Sequence, residues 1–184
     1  MLSVCRVIAT RDCGNGAPDF DTTPAQAVEL PQMFDILVYL FENYSAFHAC
    51  ADADAVTRQL TAAGFAKDEI TDALAWLQGL ERVAQDATLV SEASPGAFRV
   101  YAGFEVERLG SAAIGFLAFL ETAGQLSATQ REIVIERALA VADAPVSVEK
   151  LKVIVLMVLW CQEADIDILV LEELLDDGEE RLLQ

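Results

Sequence analysis

Histidine is nearly missing from this chain, and cations are scarce. His48 is the one histidine among 184 residues, and 12 Lys+Arg stand against 30 Asp+Glu, for a formal net charge of −18. Such a surface repels nucleic acid phosphates and anionic lipid heads, and it attracts basic partners. The four cysteines, Cys5, Cys13, Cys50 and Cys161, form no Cys-x-x-Cys. They lack the clustering of a tetrahedral zinc site, so no metal is expected, and they suggest no disulfide framework. There is no Gly-x-Ser-x-Gly elbow and no phosphate-cradling Gly-Lys-Ser/Thr loop, so no catalytic residue and no cofactor is expected. His48 sits in a loop with no cysteine spaced to form a nucleophile pair. Asp52-Ala-Asp54 and Asp165-Ile-Asp167 carry calcium-type carboxylates. Neither continues into the glycine and terminal glutamate of an EF-hand loop. Long apolar runs are also missing. The longest strongly apolar one, Val153–Cys161, is about half the length needed to cross a bilayer. Near the start, Arg6 interrupts the apolar residues, which leaves no export signal core. A reducing cytoplasm is therefore the expected compartment.

What the chain does have is core-building sequence, with 54% hydrophobic residues. Residues 1–32 stand apart. They hold Gly14, Gly16, Pro18, Pro24 and Pro31 and show no sustained period, which is the composition of a disordered leader. Amphipathic sequence begins abruptly at Met33, so translation is expected to start there, with a genuine disordered tail over 1–32 as the alternative. The remainder divides into a helical module at 33–101 and a helical C-terminal module at 102–184.

The first helix is expected over 33–45. Its polar residues Asp35, Glu42 and Asn43 form one narrow stripe, so most of its surface is buried. A second runs from about Asp52 to Ala63, with Val56, Leu60 and Ala63 on one face and Gly64 as its stop. Asp68 would cap a third, to about Asp86, whose core face is Ile70, Ala73, Leu74, Leu77 and Leu80, with Trp76 at one edge. Thr88–Ser91 and Phe98–Tyr101 are β-prone around Ser94-Pro-Gly and could pair as a small hairpin. A short helical turn near Phe104–Leu109 precedes a helix over Ala112–Thr122, with Ile114, Phe116, Leu117, Phe119 and Leu120 as its packing set and Gly124 as its end. Ser127-x-x-Gln130 is a capping box for a helix to about Val141. Ser147 caps the next, Val148–Gln162. Its β-branched run Val153–Trp160 would also suit a buried strand, but the cap and Glu149 in the first turn favour a helix central to the second half. A last helix covers about Asp165–Leu175. The fold class is thus mainly α: a multi-helix bundle with an N-terminal three-helix module, a short β-prone middle and a helical C-terminal half.

Two constellations bear on function. Three helices and a hairpin over 33–101 follow the order of a winged helix, whose third helix would read DNA. Across 68–86, however, five acids oppose Arg82 alone, a net of −4 that disfavours insertion into a groove. At the other end, Glu163–Glu180 holds nine acids and no base, half the net charge, threaded by Ile166, Leu169, Val170, Leu174 and Leu175. This can be a packed terminal helix with solvated acids, or an acidic docking surface for a basic protein partner. The candidate docking residues are Glu172, Glu173, Leu174, Leu175, Asp176 and Asp177. On the helix from Ser127, Glu132 and Glu136 share a face beside Arg131 and Arg137, and solvated ion pairs are expected there.

Several segments, in order, resemble the bacterial Smg family. They are Met33–Glu42, Leu60–Phe65, Ile70 with Ala73–Leu77, Phe98–Tyr101, Gly115–Glu121, Arg131–Arg137 and Leu151–Leu159. The resemblance spans residues 33–184 and omits 1–32. It implies a start at Met33 and a family without an established activity, some of whose genes lie near one for a DNA-processing protein. The leading expectation is a non-enzymatic acidic protein–protein interaction module with a basic partner. A nucleic-acid-associated winged helix acting in DNA processing and an enzyme of unknown class are the alternatives.

Overall fold

A computed structural model describes residues 32–44, 53–87, 99–141, 145–164, 170 and 174–175. The leader up to residue 31, His48, three of the cysteines, the Ser94-Pro-Gly segment and most of the last helix lie outside the described residues. Among the described residues, six helices with defined bounds follow in chain order: α1 Gln32–Asn43, α2 Ala53–Ala63, α3 Lys67–Ala87, α4 Gly103–Thr122, α5 Ala128–Leu139 and α6 Val148–Cys161. Among the described residues there is no strand. Arg99–Ala102 has no regular structure, and the rest of the expected hairpin lies outside them.

Local chemistry sets most helix ends. Ser127 accepts from the Gln130 N–H at 3.2 Å, and its own N–H donates to Gln130 Oε1 at 2.8 Å, which completes the capping box. Ser147 accepts from the Lys150 N–H at 3.3 Å and starts α6 as a helix. Asp68 is not a cap. α3 begins at Lys67, so Asp68 lies in its first turn. The capping there comes from Glu69, whose carboxylate accepts the Ala66 N–H at 3.1 Å. Three helices end in the same way, with an N–H reaching back five residues over a residue of positive φ. Phe65 reaches Leu60 over Gly64, and Gln125 reaches Leu120 over Gly124. At the end of α6, Ala164 reaches Leu159 over Glu163, a non-glycine residue at φ 50°. α4 is broken at Gly110, where φ is 73° and ψ 164°, a conformation open essentially to glycine alone. The break separates the short turn and the longer helix expected from the sequence.

One continuous core takes residues from all six helices. Every residue of α6 from Leu151 to Trp160 is buried, and the helix packs against α1, α3, α4 and α5. It is thus central to the helices of both halves. α1 lies on α3 and α6, burying Phe34, Ile36, Leu37 and Leu40, with Asp35, Glu42 and Asn43 outward as the stripe predicts. Phe41 meets Trp160 edge-to-face at 5.8 Å. α2 packs on α3 through Val56 and Leu60, while Ala63 is exposed. Trp76 is inside, not at an edge, because its indole N–H donates to the Arg137 carbonyl of α5 at 3.2 Å. The packing set of α4 also differs from expectation. Ala113, Leu117 and Leu120 face the core, whereas Phe119 is 60% exposed and Phe116 is partly buried.

Candidate functional site

The densest group of charges lies where the chain enters α4 and passes α5. Arg99 donates through every N–H of its guanidinium. Nε reaches Glu132 Oε1 at 3.0 Å, and Nη2 reaches Glu105 Oε1 at 2.7 Å and Glu132 Oε2 at 3.1 Å. Nη1 reaches Glu105 Oε2 at 3.0 Å and the Val100 carbonyl. Its plane also lies over the Tyr101 ring, 4.8 Å from the centroid. Glu105 is buried on the inner side of α4, and its Oε2 also accepts the Ala102 N–H at 2.7 Å. Glu132 carries the network on to Arg131, whose Nη2 is 2.7 Å from Glu132 Oε1 and whose Nη1 is 2.5 Å from Glu121.

This arrangement corrects the expectation of solvated pairs on α5. Arg131 and Arg137 keep only 11% and 12% of their side chains exposed, because α5 turns Arg131 toward α4 and Arg137 toward α3. The guanidinium of Arg137 lies against Gly79, where a larger residue would collide with it, and its Nε is buried without a hydrogen-bond acceptor. Glu132 and Glu136 do not act as a pair. Glu132 serves Arg99 and Arg131, whereas Glu136 lies 3.5 Å from Arg137.

The electrostatics are those of a clamp. Hydrogen bonds from Arg99 hold the Glu105 carboxyl below its ordinary value, so it stays ionised near neutrality. The same bonds, to Glu105 first and Glu132 second, raise Arg99 further above its already high value. Burial pushes the Tyr101 hydroxyl up. None of these groups is poised to exchange a proton near pH 7. Cys161 is partly buried, and desolvation, helped by the charge of Glu81, pushes its thiol up to about 11, which keeps it protonated and a poor nucleophile.

The arginines that could have made a basic face point elsewhere. Arg99 has no N–H to spare. Arg108 donates to the carbonyls of Leu139 and Val141 at 3.1 and 2.6 Å, closing the end of α5. Arg82 reaches back to Gln78 of its own helix. Among the described residues, no group of three His, Cys, Asp or Glu side chains is gathered to hold a metal ion, and no helix is long and apolar enough to cross a membrane.

Of the candidate docking residues, Leu174 and Leu175 are described, and both are helical. Leu174 is 3% exposed and belongs to the core, while Leu175 is 37% exposed. Glu172, Glu173, Asp176 and Asp177 lie outside the described residues. Sequence reasoning missed two features. One is the Arg99 clamp, which joins residues 33 positions apart and whose only local signal is Glu105 in the first turn of α4. The other is a set of exposed apolar residues, Val100, Phe104, Val106 and Phe119, on and before α4. The uncharged run Ser111–Leu120 was its available signal.

Comparison with known proteins places the whole helical bundle in one group. The profile of a family described as Protein of unknown function (DUF494) matches residues 33–184. The chain is 58% identical to the protein Smg homolog of Bordetella avium over 151 residues, covering 82% of this chain and 99% of that protein. The homolog of Bordetella petrii is 54% identical over the same shares, and that of Methylibium petroleiphilum 50%. No solved structure matches.

Proposed function

This chain belongs to the Smg family, described as DUF494, and on that footing we propose that it is a non-enzymatic adaptor that binds a basic protein partner in the cytoplasm. One observation carries the reading. Leu174 is anchored in the core, while its neighbour Leu175 is 37% exposed, within an 18-residue stretch with nine acids and no base. A terminal segment that buries one leucine and leaves the next partly exposed, in a sequence rich in carboxylates, has the composition of a docking edge for an apolar contact with cationic surroundings. Glu172, Glu173, Asp176 and Asp177 would form its charged rim. The chemistry of the described groups agrees. The buried carboxylate is neutralised by arginine, the thiol is held protonated, and Arg99 and Arg108 are bound internally. These features weigh against both catalysis and phosphate contact.

The test is capture of partners from the native host at low salt, followed by association kinetics with the partner obtained. Changing Glu172, Glu173, Asp176 and Asp177 to their amides should slow association and flatten its salt dependence, and Leu175→Ser should speed dissociation. Capture that survives both changes and high salt would place the interface elsewhere.

A further inference from the structure

We infer that the outer face of α4 is a second docking surface, which receives a basic amphipathic helix from a partner protein. This rests on the reading that the protein works by binding a basic partner, and it adds a surface remote in sequence from the C-terminal acids.

The face is defined by what α4 leaves bare. From Ser111 to Thr122, the exposed residues are Ser111, Ala112, Gly115, Ala118, Phe119 and Thr122, which all fall on one side of the helix and carry no charge. Phe119 is its one large side chain, 60% exposed and stacked on Phe116 at 6.5 Å between centroids. In the preceding turns Phe104 is 61% exposed and Val106 is also exposed. Exposed apolar surface that gathers into a patch marks a contact site. Gly115 adds an independent point. It is helical, and a Cβ built there meets nothing within 4 Å. Glycine is an unfavourable residue inside a helix, and no described neighbour requires it here. A second helix laid across α4 would, because small residues let backbones approach closely.

Charge selects the occupant. Along residues 99–132 every cation is turned inward: Arg99 and Arg131 onto carboxylates, Arg108 onto the carbonyls that end α5. The acids are divided. Glu105 is inside and Glu132 is held by Arg99 and Arg131, but Glu107 is exposed one turn from Phe104. An approaching helix therefore meets an uncharged strip, the outward carboxylate of Glu107, no free arginine and a chain of net charge −18. A second copy of the same chain would bring like charge to that rim, whereas a lysine-flanked helix brings its complement.

The test uses the full chain and a synthetic helix-forming peptide of roughly five turns, leucine-rich on one face and flanked by lysines. Calorimetric titration should show binding, and the amide resonances of Ala112–Thr122 should shift. Phe119→Asp and Gly115→Leu should each weaken binding about tenfold or more. A peptide with glutamates in place of lysines should not bind. The C-terminal amide variant should retain most of the affinity. Failure of the lysine peptide to bind the unaltered chain would overturn the proposal. Binding indifferent to Phe119→Asp and Gly115→Leu but lost in the C-terminal variant would also overturn it, and would leave the adaptor reading standing. A concentration-dependent doubling of mass abolished by Phe119→Asp would assign the face to a second copy instead. A melting temperature lowered by several degrees in Phe119→Asp would mean that the chain already covers the face itself, again against the proposal.

Discussion

α6 and α4 lie against each other in one core, and both are built largely of apolar residues, yet they use them differently. α6 has α1, α3, α4 and α5 around it, and its residues from Leu151 to Trp160 are all buried, Lys152 among them. α4 packs mainly on α5 and α6, and buries Leu109, Ala113, Leu117 and Leu120 on one side. Phe104 and Phe119, before and after the break at Gly110, are as apolar as anything in α6 and more than half exposed. The difference teaches that apolar content alone does not place a residue inside. The number of neighbouring elements does. A helix enclosed by four others can be apolar all round without leaving surface in water. A helix with two main neighbours among the described elements buries one face, and its other apolar residues are left exposed.

The comparison is broken or sharpened most strongly by paired substitutions. Leu156 on α6 is fully buried. Leu156→Asp puts an unpaired charge among helices on every side, and cooperative folding should be lost, read by circular dichroism on heating. The mirror change on α4, Phe119→Asp, should shift stability by no more than about 0.5 kcal/mol, as for other exposed sites. A soluble, cooperatively melting Leu156→Asp protein would show that α6 is not enclosed as described.

Between these extremes lies the polar contact that anchors α4 to α5. Glu105→Gln leaves Arg99 with Glu132 alone as its charged partner, and should cost roughly 1–3 kcal/mol in denaturant unfolding at neutral pH. The sign of the pH dependence follows from the carboxyl. Its affinity for protons is depressed in the folded chain, so its contribution is complete above the ordinary carboxylate value. As pH falls through that value the unfolded chain takes up the proton first, and the contribution is lost down to the folded-state value. The gap between the unaltered chain and Glu105→Gln should therefore be constant near neutrality and narrow below about pH 4.5. A gap independent of pH down to strong acid would mean that the carboxyl contributes by shape alone. The smallest effect has the opposite sign. Gly115→Ala fills open space on an exposed helix, and should raise stability by about 0.5–1 kcal/mol. A loss instead would show that α4 is covered at that point.

Much of the fold was legible where a local motif decides the matter. The Ser127 and Ser147 caps, the stops at Gly64 and Gly124 and the separation near Gly110 each depend on residues within a turn of one another, and each stands where the sequence puts it. α6 was legible as a helix because Ser147 can accept an N–H at its start, although its β-branched run would also suit a strand. Readings failed where two local answers were equally good. Asp68 and Glu69 both suit the start of α3, and only the path of the chain at Ala66 gives the role to Glu69. Ile114, Phe116 and Phe119 look as suited to a core as Leu117 and Leu120, and a helical period defines faces without saying which face has a neighbour. Of the site, the acidic C-terminal stretch was visible as composition, while the Arg99 clamp was not, because Arg99 and Glu132 are distant in the chain.

The sequence by itself determined the acidic character, the helical class, the order of the helices and most of their ends. These follow from composition, from the 3.6-residue period and from hydrogen bonds between residues within about five positions of each other. Only the tertiary structure decided that α6 serves both halves of the bundle, that Arg99, Arg131 and Arg137 are drawn inside, and that one face of α4 stays bare. Those outcomes depend on which surfaces meet across long stretches of chain, where burial of apolar area and pairing of desolvated charges are settled between elements and not within them.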